Sequence, residues 1–200
     1  MKQIGIAVTY SLSTSICINR ECFKEEMDIW DVPIYLLPNP TSKGTLTITQ
    51  MRKFLSAVFS VCRSVSLRKN GGVEFIPMGD VGFWESVENL LDRFEGIEIT
   101  KVAVFDDELT SASIKSSLCR EINEFYLAEK RDNFMDFTIY LLDYKVKKIR
   151  VVVDKAKLYE ELIDFSLGRD AKNLVELFYE VKGSLEQKKE DKEYDEMFDS

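Results

Sequence analysis

One stretch of the sequence, IGIAVTYSLSTSICI over residues 4–18, alternates large side chains with small or hydroxyl-bearing ones without interruption. A period of two residues is typical of a β-strand with one buried face. A strand of this length is about three times the usual one, so we expect an antiparallel hairpin that turns at Ser11–Ser13. Two alternatives stay open: one long bent strand, and a strand that breaks at YSLSTS to form a ligand-binding loop. The even-numbered positions expected to face the core are Ile4, Ile6, Val8, Tyr10, Leu12, Thr14, Ile16 and Ile18.

The rest of the chain shows alternating strand and helix patterns. Thr47 and Gln50 have the spacing of a capping box at the start of a helix with a broad apolar face. Asp80 is a candidate cap for the next helix, Gly96 is its candidate terminator, and Gly168 separates two further helices. We therefore predict an α/β fold in which a mixed sheet carries an N-terminal antiparallel hairpin, its middle strands are parallel, and helices cover both faces. The predicted strands are VPIYLL (32–37), VEFIPM (73–78), ITKVAVF (99–105), FTIYLLD (137–143) and KIRVVVD (148–154), and the predicted helices begin near residues 47, 80, 111, 155 and 171.

This order of elements resembles the RNase H-like fold, and Rossmann-like layering fits the same alternation. The run ITKVAVFDDELTSASIKSSLCREINEF, residues 99–125, is similar to the strand–turn–helix of PIWI-type domains. The resemblance implies metal-dependent cleavage of a nucleic acid. Active members carry a metal-binding aspartate in the first strand, and IGIAVTY has none at that place.

Length and charge indicate one α/β domain over residues 1–182 followed by a tail over residues 183–200. The tail, GSLEQKKEDKEYDEMFDS, is dense in charge and poor in aliphatic residues, so we expect it to be flexible. The net charge of −8 disfavours a broad electrostatic grip on nucleic acid or an anionic membrane. YKVKKIR, residues 144–150, is the candidate for a local basic patch.

The cysteines and the amino terminus indicate where the protein acts. Four cysteines without a CxxC spacing are typical of reduced thiols in a cytoplasmic protein. The sequence shows neither a signal-peptide pattern nor an apolar run of the roughly 18–20 residues that a membrane span needs. We therefore expect a cytoplasmic protein with no membrane partner.

The chain contains no histidine, which limits its chemistry. Serine–histidine–aspartate and cysteine–histidine catalysis, and zinc sites with histidine ligands, are excluded. Any catalysis would depend on carboxylates, lysine, tyrosine or a Mg²⁺ ion held by carboxylates. No other cofactor is indicated.

Four aspartates are candidate metal ligands because each follows a predicted strand. Asp106 and Asp107 follow VAVF, Asp80 follows VEFIPMG, and Asp143 ends FTIYLLD. If the carboxyl ends of these strands meet at one sheet edge, the aspartates could hold Mg²⁺ through oxygen ligands. The competing interpretation is that the aspartates cap helices, where they satisfy free amides.

Two further segments are candidates for binding. Ser11, Ser13 and Thr14 could hold a nucleotide or phosphate at the end of a strand, although no glycine-rich phosphate motif is present. In the tail, Tyr194, Met197 and Phe198 lie among acids, as in short motifs that dock into apolar pockets ringed by positive charge. The competing interpretations are a serine-rich strand face and a tail that only aids solubility.

The favoured function is therefore a cytoplasmic α/β binding or regulatory protein that acts through contacts with a protein partner. The alternative is a Mg²⁺-dependent enzyme, RNase H-like and degenerate, acting on a phosphate-containing or nucleic-acid substrate. A nucleotide-sensing domain is a third hypothesis.

Overall fold

A computed structural model describes residues 1–18, 45–69, 72–130 and 134–198. The chain divides into two compact units, Met1–Ser117 and Leu118–Ser200, which are treated separately below. The predicted single domain over residues 1–182 is not tested by this division, because compactness does not measure independent folding. The predicted strand VPIYLL, residues 32–37, lies outside the described residues.

The first unit contains an antiparallel sheet and the helices that pack on it. The elements, in chain order, are β1 (Gln3–Ile18), β2 (Thr45–Leu46), α1 (Ile48–Val61), β3 (Val65–Ser66), β4 (Val73–Pro77), a 3₁₀ turn (Met78–Asp80), α2 (Val81–Leu91), β5 (Phe94–Phe105) and the first turns of α3 (Glu108–Glu129). In the sheet β2 pairs with β1, β1 with β4, and β4 with β3, while β5 pairs with β1 along the other edge of β1.

β1 is one long strand, so the predicted hairpin is wrong. Where the turn was expected, Ser11 pairs with Glu98 and Leu12 with Ile97, both on β5. The stretch holds no glycine, asparagine or aspartate that could supply a tight turn between residues 6 and 18. The register with β5 shifts between Leu12 and Cys17, as at a β-bulge, and β1 pairs with β5 again at Cys17 and Ile18.

The expected parallel strands are also corrected, because all described strand pairs are antiparallel. Rossmann-like layering needs parallel strands, so it finds no support here, and neither does the likeness to RNase H. The coarser prediction of a mixed α/β protein is confirmed.

The expected core face of β1 is confirmed. Ile6, Val8 and Ile16 are buried, and they pack in one cluster with apolar side chains of both α1 and α2. On the opposite parity, Ser11 and Ser13 are exposed. An aromatic stack continues the core, with Tyr10 against Phe59 and Phe59 against Trp84 at ring-centroid distances of 5.7 and 5.3 Å. The helix residues in the cluster are Met51, Phe54, Leu55, Val58, Phe59, Cys62, Val81, Trp84, Val87, Leu90 and Leu91.

Gly5 is required by close packing on the other face of β1. A Cβ atom at this position would lie 2.2 Å from the Ile76 carbonyl oxygen and 2.7 Å from Cζ of Phe75. Phe75 is fully buried, and its ring occupies the space above the glycine. Any larger residue at position 5 would have to displace β4.

The helix boundaries of the first unit confirm one local prediction and correct two. Thr47 and Gln50 form the predicted capping box at the start of α1. Asp80 precedes α2 without making a side-chain capping bond. Gly96 does not end α2, since the helix stops at Leu91 and the glycine lies inside β5 with a φ of 91°.

The second unit is helical, and two predicted strands in it are wrong. FTIYLLD and KIRVVVD both fall in α4 (Ile139–Leu162), which begins where Thr138 accepts a hydrogen bond from the Leu141 amide. Buried residues recur every seven positions at Leu142, Ile149, Ala156 and Ile163, so the stretch has one helical face. Packing on this face overrides the β propensity of Val151–Val153.

The last helix, α5 (Arg169–Phe198), begins directly after Gly168, as predicted, and packs against α4. It also runs through the segment expected to be a flexible tail from residue 183. Leu185 is 5% exposed, and Lys188 donates a hydrogen bond to the Phe137 carbonyl. These two contacts extend the helical hairpin one to two turns past Val181, and the backbone stays helical to Phe198. No described helix is both long and apolar enough to cross a membrane.

The parity of β1 gives a stability test. Ile6→Asp places an unpaired carboxylate in the core and should lower the free energy of unfolding by roughly 3 kcal/mol or more. Ser13→Asp adds the same charge on the exposed parity and should change it by less than about 0.5 kcal/mol. Urea unfolding of both variants measures the difference. Equal losses would show that the face assignment is wrong.

Candidate functional site

Asp106 and Asp107 form the turn between β5 and α3. The Asp107 carboxylate accepts hydrogen bonds from the Thr110 amide at 2.8 Å and from the Thr110 hydroxyl at 2.6 Å. Asp106 accepts one from the Ser111 hydroxyl at 3.2 Å. The hydrogen bonds from Thr110 hold the pKa of Asp107 below its usual range. The pair therefore has the contacts of a helix cap.

Asp80 forms a two-point ion pair with Arg63. The Arg63 Nε donates to Oδ2 of Asp80 at 2.9 Å, and a terminal guanidinium nitrogen donates to Oδ1 at 2.6 Å. Arg63 has a φ of 48°, the left-handed conformation that turns the chain after α1. The ion pair thus ties this turn to the start of α2, and both Asp80 oxygens are engaged.

Asp143 lies in the second unit, in the middle of α4's first turns and not at a strand end. Its carboxylate pairs with Lys147, four residues on, at 2.7 Å, and the contact lowers the pKa of Asp143. The four aspartates are thus engaged in separate local contacts. Within the described ranges, no three acidic, cysteine or histidine side chains lie close enough to hold a metal ion.

The residues of the serine-rich segment lie on a paired strand. Ser11 Oγ donates to the Glu98 carboxylate at 3.1 Å, and Ser13 is exposed. The side chain of Thr14 lies outside the described residues, as do those of Tyr194, Met197 and Phe198, whose backbone belongs to α5. The assignments of both groups as binding residues stay predictions.

The basic run of residues 144–150 is largely neutralised. Lys145 and Lys148 each donate to the Glu129 carboxylate at 2.6 Å, and Lys147 pairs with Asp143. Glu129 itself is 4% exposed. Burial would raise the pKa of Glu129, but the hydrogen bonds from the two lysines outweigh it and lower the pKa. The run is therefore part of an internal ion-pair cluster, which sequence analysis missed because its acid lies on another helix.

The cysteines show no sign of catalytic use. Burial and the nearby Asp80 raise the pKa of Cys62 to about 12, so its thiol stays protonated at neutral pH. Cys17, Cys62 and Cys119 form no disulfide bond. The Cys62 thiol is therefore not activated, and the described residues contain no cluster of three metal-ligating side chains.

Two surfaces of the first unit remain as candidate sites. The first is the outer edge of β5, where the four residues Thr100–Ala103 are all exposed. Val102 on this strand is 60% exposed and Phe105 is 42% exposed. The second is the outward face of α1, where Arg52 and Lys53 border a hollow of about 550 Å³.

The described residues define a mixed α/β protein with an antiparallel sheet and a helical second unit. The chain belongs to DUF6744, a family of unknown function whose characteristic sequence matches residues 41–191. No curated protein and no solved structure matches the chain. The family match includes both candidate surfaces and leaves out β1.

The helix-cap contacts of Asp106 and Asp107 have a consequence for thermal stability. A metal bound only by the folded state would raise the melting temperature, so we expect millimolar Mg²⁺ or Mn²⁺ to leave it unchanged. Differential scanning fluorimetry on the wild type measures this. An Asp106→Asn, Asp107→Asn double variant serves as control. A rise that the double variant loses would restore the metal-site hypothesis.

The Glu129 cluster makes part of the stability depend on pH. Glu129→Gln leaves two lysines without their acid and should cost about 1–3 kcal/mol at neutral pH. The folded-state pKa of Glu129 is lowered, so its contribution is complete above the unfolded pKa of about 4.3 and is lost as the pH falls through the folded pKa.

The difference in free energy of unfolding between wild type and Glu129→Gln should therefore shrink below about pH 4.3. Asp143→Asn removes an ion pair between residues four apart on the surface of α4 and should leave the free energy of unfolding nearly unchanged, so it serves as the control. Urea titrations across the acid range measure both. A difference that does not change with pH would contradict the ion-pair assignment.

Proposed function

We propose that the protein is a cytoplasmic binding or regulatory protein, and that it binds a protein partner by adding a strand to the outer edge of β5. The observation that carries the proposal is the exposure of Thr100–Ala103 on both faces of an edge strand. The cytoplasmic location is supported by the three cysteines in the described part of the chain, which form no disulfide bond.

β5 offers backbone groups for such a contact. The strand runs for twelve residues, and among the described strands it pairs only with β1. The outer edge of such a strand presents alternating N–H and C=O groups that an extended segment of another protein can satisfy. The backbone bonds would supply affinity, and the side chains on either face would supply specificity.

The charges of β5 are unevenly distributed along the strand. Its first half carries Glu95 and Glu98, which discourage pairing, because edge strands are commonly protected by charge. The second half carries only Lys101, whose ammonium group pairs with Glu88 of α2. An apolar edge with one neutralised charge favours residues 100–105 as the docking segment.

The partner that fits this edge is an extended segment with apolar side chains at alternate positions. Val102 and Val104 share one face of β5, since residues two apart in a strand point the same way. Val102 is 60% exposed, which is unusual for a valine in a sheet. An incoming strand would cover it together with the free backbone groups.

The test uses a photo-crosslinking amino acid at Thr100, introduced into the full chain in its native cells. We expect an adduct with one protein, and in the purified complex the amides of residues 100–105 should be protected from hydrogen exchange. Val102→Glu should remove both the adduct and the amide protection without changing the melting temperature. It gives the second half of β5 an acid that discourages strand pairing, as Glu95 and Glu98 do in the first half.

Leu109→Glu is the matched control, since Leu109 is 84% exposed in the same unit and lies outside β5. It should leave the adduct and the amide protection intact. An adduct that survives Val102→Glu, or a complex in which these amides exchange freely, would contradict strand addition.

A further inference from the structure

The outward face of α1 forms a shallow hollow of about 550 Å³. Its lining residues are spaced at three, four, seven, eight and eleven positions from the first, so they share one side of the helix. Arg52 and Lys53 border the hollow with long side chains, and its floor is made of small ones. The lining residues are Thr49, Arg52, Lys53, Ser56, Ala57 and Ser60.

This face is positively charged in an acidic protein. Helix α1 contains no acid, and its only charged residues are Arg52 and Lys53, both exposed. In the part of the chain that the structure describes, no carboxylate lies within ion-pair distance of either. The whole chain has a net charge of −8, so the face stands out as a local positive patch.

Residues 193–198, EYDEMF, have the complementary chemistry. They contain three acids and no cation, and their backbone is the last part of α5. Tyr194, Met197 and Phe198 have the i, i+3, i+4 spacing of one helical face. On a helical wheel Glu193 and Asp195 flank that face on its two sides.

These residues also extend beyond the helix against which α5 packs. α5 has 30 residues and α4 has 24, so in an antiparallel pair about two turns of α5 have no α4 residue opposite them. Described positions Glu190, Asp191 and Lys192 are exposed.

We infer that residues 193–198 of one copy of the chain dock across the outward face of α1 in a second copy. The small side chains Ser56, Ala57 and Ser60 let an incoming helix approach closely, and its apolar face covers Ala57. Arg52 and Lys53 are cations, and residues 193–198 contain three acids and no cation. The occupant is thus matched to this face in charge.

A nucleic acid fits this surface less well. Two cations neutralise only about two phosphates, and the rest of the protein repels a polyanion. The surface also lacks exposed aromatic rings among its lining residues, which single-stranded nucleic acid would need for stacking. This inference concerns other residues than those of β5, so each can fail without the other.

The experiment measures self-association of the full chain by sedimentation over a concentration series. We expect the average mass to rise with concentration and the association to weaken at high salt, because the contact is between exposed charges. Two charge-reversal variants, Arg52→Glu with Lys53→Glu and Glu193→Lys with Asp195→Lys, should each weaken it about tenfold or more. Mixing the two variants should restore association, because one then supplies an acidic face and the other a basic segment.

Arg150→Glu with Lys157→Glu is the control, since it makes the same charge change on exposed positions of α4 and should leave self-association unchanged. A chain that stays monomeric, or variants that fail to associate when mixed, would overturn the proposal.

A melting temperature that falls in both charge-reversal variants without any change of mass would show docking within one chain. Binding of a duplex DNA probe that Arg52→Glu with Lys53→Glu abolishes, with the protein monomeric, would show a nucleic-acid occupant. Either result also overturns docking between copies.

Discussion

The pairing of β1 on both of its edges is the constraint on which the first unit depends. Residues 5–9 of β1 pair with β4 on one side and with β5 on the other, so this strand is the centre of the sheet. Its even-numbered side chains anchor α1 and α2, and Gly5 leaves room for the Phe75 ring on the opposite face. A turn at Ser11–Ser13 would have taken the part of β1 after Ser13, including the buried Ile16, out of this central strand.

Local signals in the sequence predicted what depends on neighbours a few residues away. The capping box of α1 and the hydrogen bond that Thr110 donates to Asp107 both join residues three apart, and both are readable from spacing. The two strands predicted over residues 137–154 were wrong because each covers only seven residues, too few to show a helical period. The repeat of seven from Leu142 to Ile163 shows only in a longer window, where it indicates a helix.

The contacts that decide the candidate site join distant residues, and no spacing rule indicates them. Arg63 reaches Asp80 seventeen positions on, and Lys145 and Lys148 reach Glu129 sixteen and nineteen positions back. These ion pairs engage Asp80, which the sequence suggested as a metal ligand, and Lys145 and Lys148, which it suggested as part of a basic patch. Only the ion pair of Asp143 with Lys147 follows from the sequence once the helix is known.

The architecture explains where the two candidate surfaces lie. β1 has partners on both edges, so among the described strands the outermost positions of the sheet fall to β2 and β3, which have two residues each, and to β5, which has twelve. A two-residue strand offers little to a partner, whereas β5 offers a full strand of backbone groups. α1 buries one side on β1 and keeps the other outward, and that outward side carries the cations. The long central strand thus produces both the open edge and the positively charged helix face.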